Sequence, residues 1–312
     1  MKAVSGTRPG GPSLLSDPRL LAASAGGFAA AAAALWVFRG LPLGTALFWL
    51  SPFPLFAAGL GFGPGVAVGA VAVAGVLLAL VGNLVAAVVF LALFGVPAAL
   101  LMATGLRGGG AFRPGLPMAL LGAWPVAVLL MAALFLGGSE EFQTVMRAML
   151  ETTLGRAGLA VPEQLLDQIA RFKAAAIGLF LSVLPLVANG FAARRFLLRR
   201  GGLAVPPLPD PALARLPGWY PWLPALAAAV FLLAPAGADA VPLSALLLLL
   251  VPLLLMGVAG VHARIRGRPA RVPMLALFYL LLAMFLQVMG PAMVGLGLYD
   301  QFRRRAPAPP SV

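Results

Sequence analysis

Residues 241–261 read VPLSALLLLLVPLLLMGVAGV, and residues 262–271, which follow directly, read HARIRGRPAR. The first string carries no charge and matches the roughly 20 apolar residues that a helix needs to cross a bilayer core. The second holds Arg264, Arg266, Arg268 and Arg271 and no acid, the composition of a cytoplasmic loop. An apolar run of bilayer length, closed by a basic connection, is the unit from which the rest of the chain is built. Working outward from it gives nine candidate spans: 20–38, 42–60, 64–82, 84–105, 116–137, 173–193, 219–236, 241–261 and 272–290.

Composition agrees. Of 312 residues, 62% are hydrophobic and 10% charged, against about 45–50% and about 25% in soluble domains. That leaves too little polar surface to cover a water-soluble core and excludes a soluble enzyme, a disordered chain and a disulfide scaffold. The expected fold is all-α: a polytopic transmembrane bundle of eight or nine helices in a bacterial inner membrane. A tail at 1–19 precedes a single membrane domain at 20–300, and a basic tail occupies 301–312. The run Leu20 to Phe38 is expected to be a retained first helix rather than a cleaved signal peptide, because many spans follow it.

The net charge is +13. No basic residues alternate with aromatics as a nucleic-acid groove requires, so anionic lipid headgroups at the arginine loops are the expected counter-charge. Loop 194–217 carries Arg194, Arg195, Arg199, Arg200 and Arg215 against Asp210, while segment 138–172 carries five acids against Arg147, Arg156 and Arg171. The first should lie inside and the second outside, which places the N-terminus, with Lys2, Arg8 and Arg19, in the cytoplasm. Nine crossings would then strand Arg303, Arg304 and Arg305 outside. Either the rule fails at this end, or eight spans cross and one in 42–105 is re-entrant, with the proline-broken Leu41–Leu60 the leading candidate.

Segment 138–172 reads as two amphipathic helices. Ser139 can cap the first, with Glu140 and Glu141 in its favourable first turn. Phe142, Val145, Met146, Met149 and Leu150 fall on one side. Pro162 restarts the helix, and Leu165, Leu166, Ile169 and Phe172 continue an apolar stripe. This pair is either a lid over an outward cavity or a hairpin resting on the interface.

Catalytic chemistry finds few parts. There is no cysteine and one histidine, His262, so Cys-based and multi-histidine metal sites are excluded, and no metal or cofactor is expected. His262 reads as a solvated residue at a helix end. Glu140-Glu141 is reminiscent of the glutamate pair of CAAX-type membrane proteases, but Val145 stands where those proteins carry arginine. No span has a charge near its centre, as a proton-coupled pump would. The neutral polar and aromatic residues Trp49, Asn83 and Gln287 are the candidate ligand-lining groups. Asn189 reads as a hydrogen-bonding glue between helices, and Trp219, Tyr220 and Trp222 as an interfacial aromatic belt. Gly59, Gly63, Gly65 and Gly69 form small-x-x-x-small pairs that pack helices or dock a membrane partner.

Two resemblances follow from particular residues. The run Leu41-Pro42, Ser51-Pro52-Phe53-Pro54-Leu55 and Gly63-Pro64-Gly65-Val66-Ala67-Val68-Gly69 resembles the first spans of substrate-binding S components of energy-coupling-factor transporters. The whole chain, with its ending Gly295-Leu296-Gly297-Leu298-Tyr299-Asp300-Gln301-Phe302-Arg303-Arg304-Arg305, is similar to the YybS-like family of predicted bacterial membrane proteins. The S-component resemblance implies a non-enzymatic protein that binds a small solute from outside and passes it to an ATPase-driven partner. The other reading open at this point is a membrane scaffold or interaction protein of the envelope that holds no ligand.

Overall fold

The computed structural model describes residues 16–107, 111–201, 205–209, 214–235 and 237–303. The expectations placed on Lys2, Arg8, Asp210, Arg304 and Arg305 lie outside the described residues. The described residues are helical, without strands: α1 Pro18–Phe38, α2 Gly44–Leu50, α3 Pro52–Phe62, α4 Pro64–Leu77, α5 Leu84–Phe90, α6 Val96–Gly105, α7 Gly115–Phe135, α8 Ser139–Arg156, α9 Glu163–Gly178, α10 Leu184–Arg200, α11 Trp222–Leu233, α12 Ala240–Ile265, α13 Arg271–Met284 and α14 Leu286–Arg303. Seven stretches among them are long and apolar enough to cross a membrane, or eight if the bent pair α13–α14 is one span. The described helices fall into two compact units, one within residues 1–102 and 188–205, the other within 103–187 and 206–312.

The prolines explain most irregularities. A proline removes one helix hydrogen bond and crowds the carbonyl four residues earlier. Wide π-helical turns at Leu91–Gly95 and Leu179–Val183 end two residues before Pro97 and Pro185. They let α5–α6 and α9–α10 continue through a ring that would otherwise clash.

In the first unit, α1 presents small residues to α4. Gly27 is packed so closely that an added Cβ would stand 2.7 Å from the Val73 Cβ, and Ala30, Ala34, Ala70 and Ala74 are fully buried. Such contacts suit a bundle in lipid, where hydrocarbon outside is as apolar as the core and close packing supplies the attraction. Gly63, at φ +104°, turns the chain between α3 and α4.

In the second unit, α12 is the central post. Gly257 abuts the Met293 carbonyl and Gly297 the Leu253 carbonyl, while Gly260 abuts the Asp300 carboxylate. Beyond the Gly257 and Gly297 contacts, Gly260 and Arg264 of α12 both meet Asp300 near the C-terminal end of α14, so the two helices run parallel. That requires the chain to travel back between them. It does so in α13, which meets α14 at a bend of 117°. Phe285 occupies the break. The expected single span 272–290 is therefore two helices, and Arg303 returns to the end of α12 that carries Arg264. The expected re-entrant segment, Leu41–Leu60, is instead part of a broken but span-length stretch, Gly44–Phe62. The sharp reversal lies at the other end of the chain.

Three further expectations are corrected. The second helix of the 138–172 pair does not end near Phe172. With no glycine or proline at the junction, Glu163–Arg200 runs as one 38-residue stretch, about 57 Å long at 1.5 Å per residue. At the start of α8 the cap position belongs to Gly138, at φ 128°, rather than Ser139. The expected span 219–236 is a helix of 12 residues, because Pro235 forces Ala234 into an extended conformation.

Phe142, Met146 and Leu166 are buried between α8 and its neighbours, but Met149, Leu165, Ile169 and Phe172 are exposed. Arg147 ties the two helices together, 2.9 Å from Glu151 and 2.7 Å from Asp167. The Glu151 hydrogen bond first, then the Asp167 charge, raise its pKa.

Reporter fusions at Gly267 and at the C-terminus are expected to report the same side of the membrane, and a fusion at Gly158 the opposite side. A C-terminal fusion on the side of Gly158 would contradict the parallel pairing of α12 and α14. Gly257→Leu should destabilise the protein in detergent by about 1–3 kcal/mol through overpacking, whereas Gly190→Ala, inside α10 where space is open, should raise its melting temperature slightly, because alanine is the better helix former.

Candidate functional site

Two polar clusters stand out, one in each unit. In the first unit, Pro52 and Pro54 have no N–H, so α2 cannot continue smoothly into α3. The Phe48 carbonyl accepts from the Ser51 hydroxyl at 2.7 Å. The Trp49 carbonyl accepts from Asn189 Nδ2, also at 2.7 Å. Ser51 and Asn189 are 0% and 2% exposed. Asn189 thus performs the bridging role expected of it, with a backbone carbonyl as its partner. Phe48 packs tilted against Phe94 at 4.8 Å between ring centres and Phe53 edge-on against Phe196 at 5.7 Å, so the broken helix is held by rings on both sides of the gap.

In the second unit the cluster lies where α12 and α14 end. Arg264 grips Asp300 with both terminal nitrogens, Nη1 to Oδ2 at 3.1 Å and Nη2 to Oδ1 at 2.9 Å. The Asp300 side chain is 8% exposed and that of Arg264 44%. The neighbouring Gln301, also buried, acts like a strand edge: its Oε1 accepts from the Leu216 N–H at 3.2 Å and its Nε2 donates to the Leu216 carbonyl at 2.8 Å. Consecutive residues of α14 thereby fasten α12 and the segment before α11. Beside them Ala263, Arg264, Asp300 and Arg303 line an open concavity of about 430 Å³.

Tyr220, expected in an aromatic belt, is 0% exposed, while Trp219 and Trp222 are 50% and 74% exposed. Its hydroxyl turns inward, close to Pro252, and donates to the Leu249 carbonyl at 2.9 Å. At the opposite end of α12, Asp239 precedes the first turn and pairs with Arg171 of α9, and the Ser244 hydroxyl reaches the Arg171 carbonyl.

The candidate ligand-lining residues fall in different units. Trp49 and Asn83 belong to the first and Gln287 to the second. Trp49 is half-buried in α2. Asn83 is exposed and caps α5, its Oδ1 accepting from the Ala86 N–H at 2.7 Å. Gln287 is exposed in the first turn of α14, just past the bend. Of the candidate packing glycines, Gly59 faces Ala67 and Met102, where a Cβ would meet each at 2.9 Å, and Gly69 faces Ala23 at 3.3 Å; Gly65 borders open space. His262 is half-buried, its Nε2 3.3 Å from the Tyr279 hydroxyl. Among the described residues, no group of three or more His, Asp or Glu side chains is placed to hold a metal ion.

Asp300, Gln301 and Arg264 were not among the sequence candidates. One signal was present: Asp300 is the only acid after Asp239, in a stretch containing seven arginines.

A nearly continuous run of long apolar helices, with Ser51, Asn189 and Gln301 met by internal partners, is membrane architecture. Residues 30–301 match the family described as predicted membrane protein DUF2232. The chain belongs to that family. No curated protein and no solved structure matches it. This DUF2232 member is thus a membrane protein with several apolar spans, in a family whose description assigns no activity.

Because Asp300 is the more buried partner, Arg264→Ala should destabilise by about 3 kcal/mol by leaving an unpaired carboxylate, and Asp300→Ala by only about 1 kcal/mol. The double variant should be no worse than Arg264→Ala alone. Additive losses in thermal melts would show that the pair does not act as a unit.

Proposed function

We propose that this DUF2232 member is a non-enzymatic protein of the bacterial inner membrane that binds a small neutral solute in its first unit, in the manner of an S component. One observation carries the reading: the span Gly44–Phe62 is interrupted at Ser51–Pro52. Membrane transporters use such broken helices to bring backbone polar groups to a solute at mid-membrane depth. The groups gathered here, the Phe48 and Trp49 carbonyls with their partners Ser51 and Asn189, are all uncharged, and each carbonyl keeps a second lone pair for a solute donor. They suit an uncharged, hydrogen-bonding solute and offer an ion no counter-charge. Trp49, directly before the interruption, supplies an aromatic face. Asn83, in the same unit, remains a lining candidate. The reading places the N-terminus in the cytoplasm, with the arginine-rich ends of α12 and α14 on the same side.

A second reading rests on a different observation. Leu165, Ile169 and Phe172 form an exposed stripe on the part of the Glu163–Arg200 helix that exceeds the roughly 30 Å of bilayer hydrocarbon. An envelope scaffold would use that stripe to hold a partner.

Purified protein screened by thermal melt against a panel of uncharged vitamins and metabolites should be stabilised by one member, by roughly 5 °C or more at a hundredfold excess over its Kd. Asn189→Ala should abolish that shift. A panel without effect, together with copurification of an envelope protein that Phe172→Glu releases, would replace solute binding with the scaffold reading.

A further inference from the structure

The concavity at the ends of α12 and α14 has a charge pattern of its own. Asp300 neutralises one guanidinium, Arg264, yet the Arg264 side chain remains 44% exposed. Its bidentate contact engages one edge of the planar fork and leaves other N–H groups directed away from the carboxylate. Arg303, one turn after Asp300, is exposed, with its guanidinium 5.6 Å from the centre of the Tyr299 ring. Two arginines and one aspartate leave a net charge of +1 in the cavity. Arg266, Arg268 and Arg271, in the adjoining loop, carry the same sign.

The surface leading to the cavity is apolar. Val288, Ala292, Gly295, Tyr299 and Phe302 are exposed at helical spacing along one face of α14. An added Cβ at Gly295 would meet nothing within 4 Å. The two small residues leave a shallow trough between Val288 and the Tyr299 and Phe302 rings. It runs along the helix to the arginines, so that Tyr299 comes just before Arg303, the usual order of groups across a membrane interface.

We infer that the cavity formed by Ala263, Arg264, Asp300 and Arg303 binds the phosphodiester of an anionic phospholipid, with an acyl chain in the trough over Ala292 and Gly295. Arginine suits phosphate oxygens because its planar fork donates two parallel hydrogen bonds. A single negative charge balances the cavity, whereas a phosphate dianion would overcompensate it. The trough favours the lipid over free phosphate, which has no chain to fill it. This site is independent of the solute-binding reading, since all its residues belong to the second unit.

The test uses the full-length protein in nanodiscs or detergent, titrated with phosphatidylglycerol or phosphatidylcholine and followed by native mass spectrometry. Retention of phosphatidylglycerol over phosphatidylcholine is expected. Arg303→Gln should weaken that preference about fivefold, the effect of one interfacial cation. Gly295→Leu, which fills the trough, should weaken binding of phosphatidylglycerol while the melting temperature of the lipid-free protein stays unchanged. Inorganic phosphate at millimolar concentration should leave the lipid bound. Equal retention of the two lipids, or full preference in Arg303→Gln, would overturn the proposal. Release by inorganic phosphate with Gly295→Leu silent would also overturn it, by assigning the cavity to free phosphate.

Discussion

A backbone carbonyl that loses its helical partner inside a bilayer has no water to turn to. This protein, with 29 prolines, meets that constraint repeatedly, and its irregular features are the answers. At Pro52 and Pro54 the answers are the Ser51 hydroxyl and Asn189. At Pro97 and Pro185 they are π-helical turns. Near Pro252, Tyr220 turns inward to the Leu249 carbonyl, while its neighbours Trp219 and Trp222 stay exposed. The side-chain answers bring the polar groups of Ser51, Asn189 and Tyr220 into the interior.

The same constraint shapes the end of the chain. α14 must lie against α12 closely enough for backbone to touch backbone, and only Gly257 and Gly297 permit that approach. Once the helices run parallel, their C-terminal ends coincide. Asp300 would then be buried beside the negative end of its own helix, an unfavourable place for a carboxylate. Arg264 resolves the conflict, and Gln301 secures the segment before α11 in the same turn. The two glycine contacts, the ion pair and the amide clasp therefore form one device that fixes the return of the chain.

Much of this was legible in residues 1–312. The apolar runs and their arginine loops marked the spans, and the prolines marked the interruptions. Asn189 was recognisable as a bridging residue because an amide within an apolar span needs a partner. The reversal at Phe285 was not legible, because no glycine or proline stands at the break and the apolar run passes through it unchanged. Nor was the continuity of Glu163–Arg200, where a change from amphipathic to apolar composition suggested two elements and the backbone shows one. Tyr220 was misplaced because an aromatic at a helix start has the same local sequence whether it faces lipid or turns inward.

Hydropathy, charge asymmetry and proline position are local properties, so the sequence by itself determined an all-helical membrane protein and the approximate limits of most of its spans. Which side chain meets which freed carbonyl or buried charge was decided only in three dimensions. Asn189 and Trp49 are 140 residues apart, Gln301 and Leu216 are 85 apart, and Arg264 and Asp300 are 36 apart. No periodicity links positions at such separations. Their pairing follows from how the helices pack, because a buried polar group takes the partner that packing brings within about 3 Å of it.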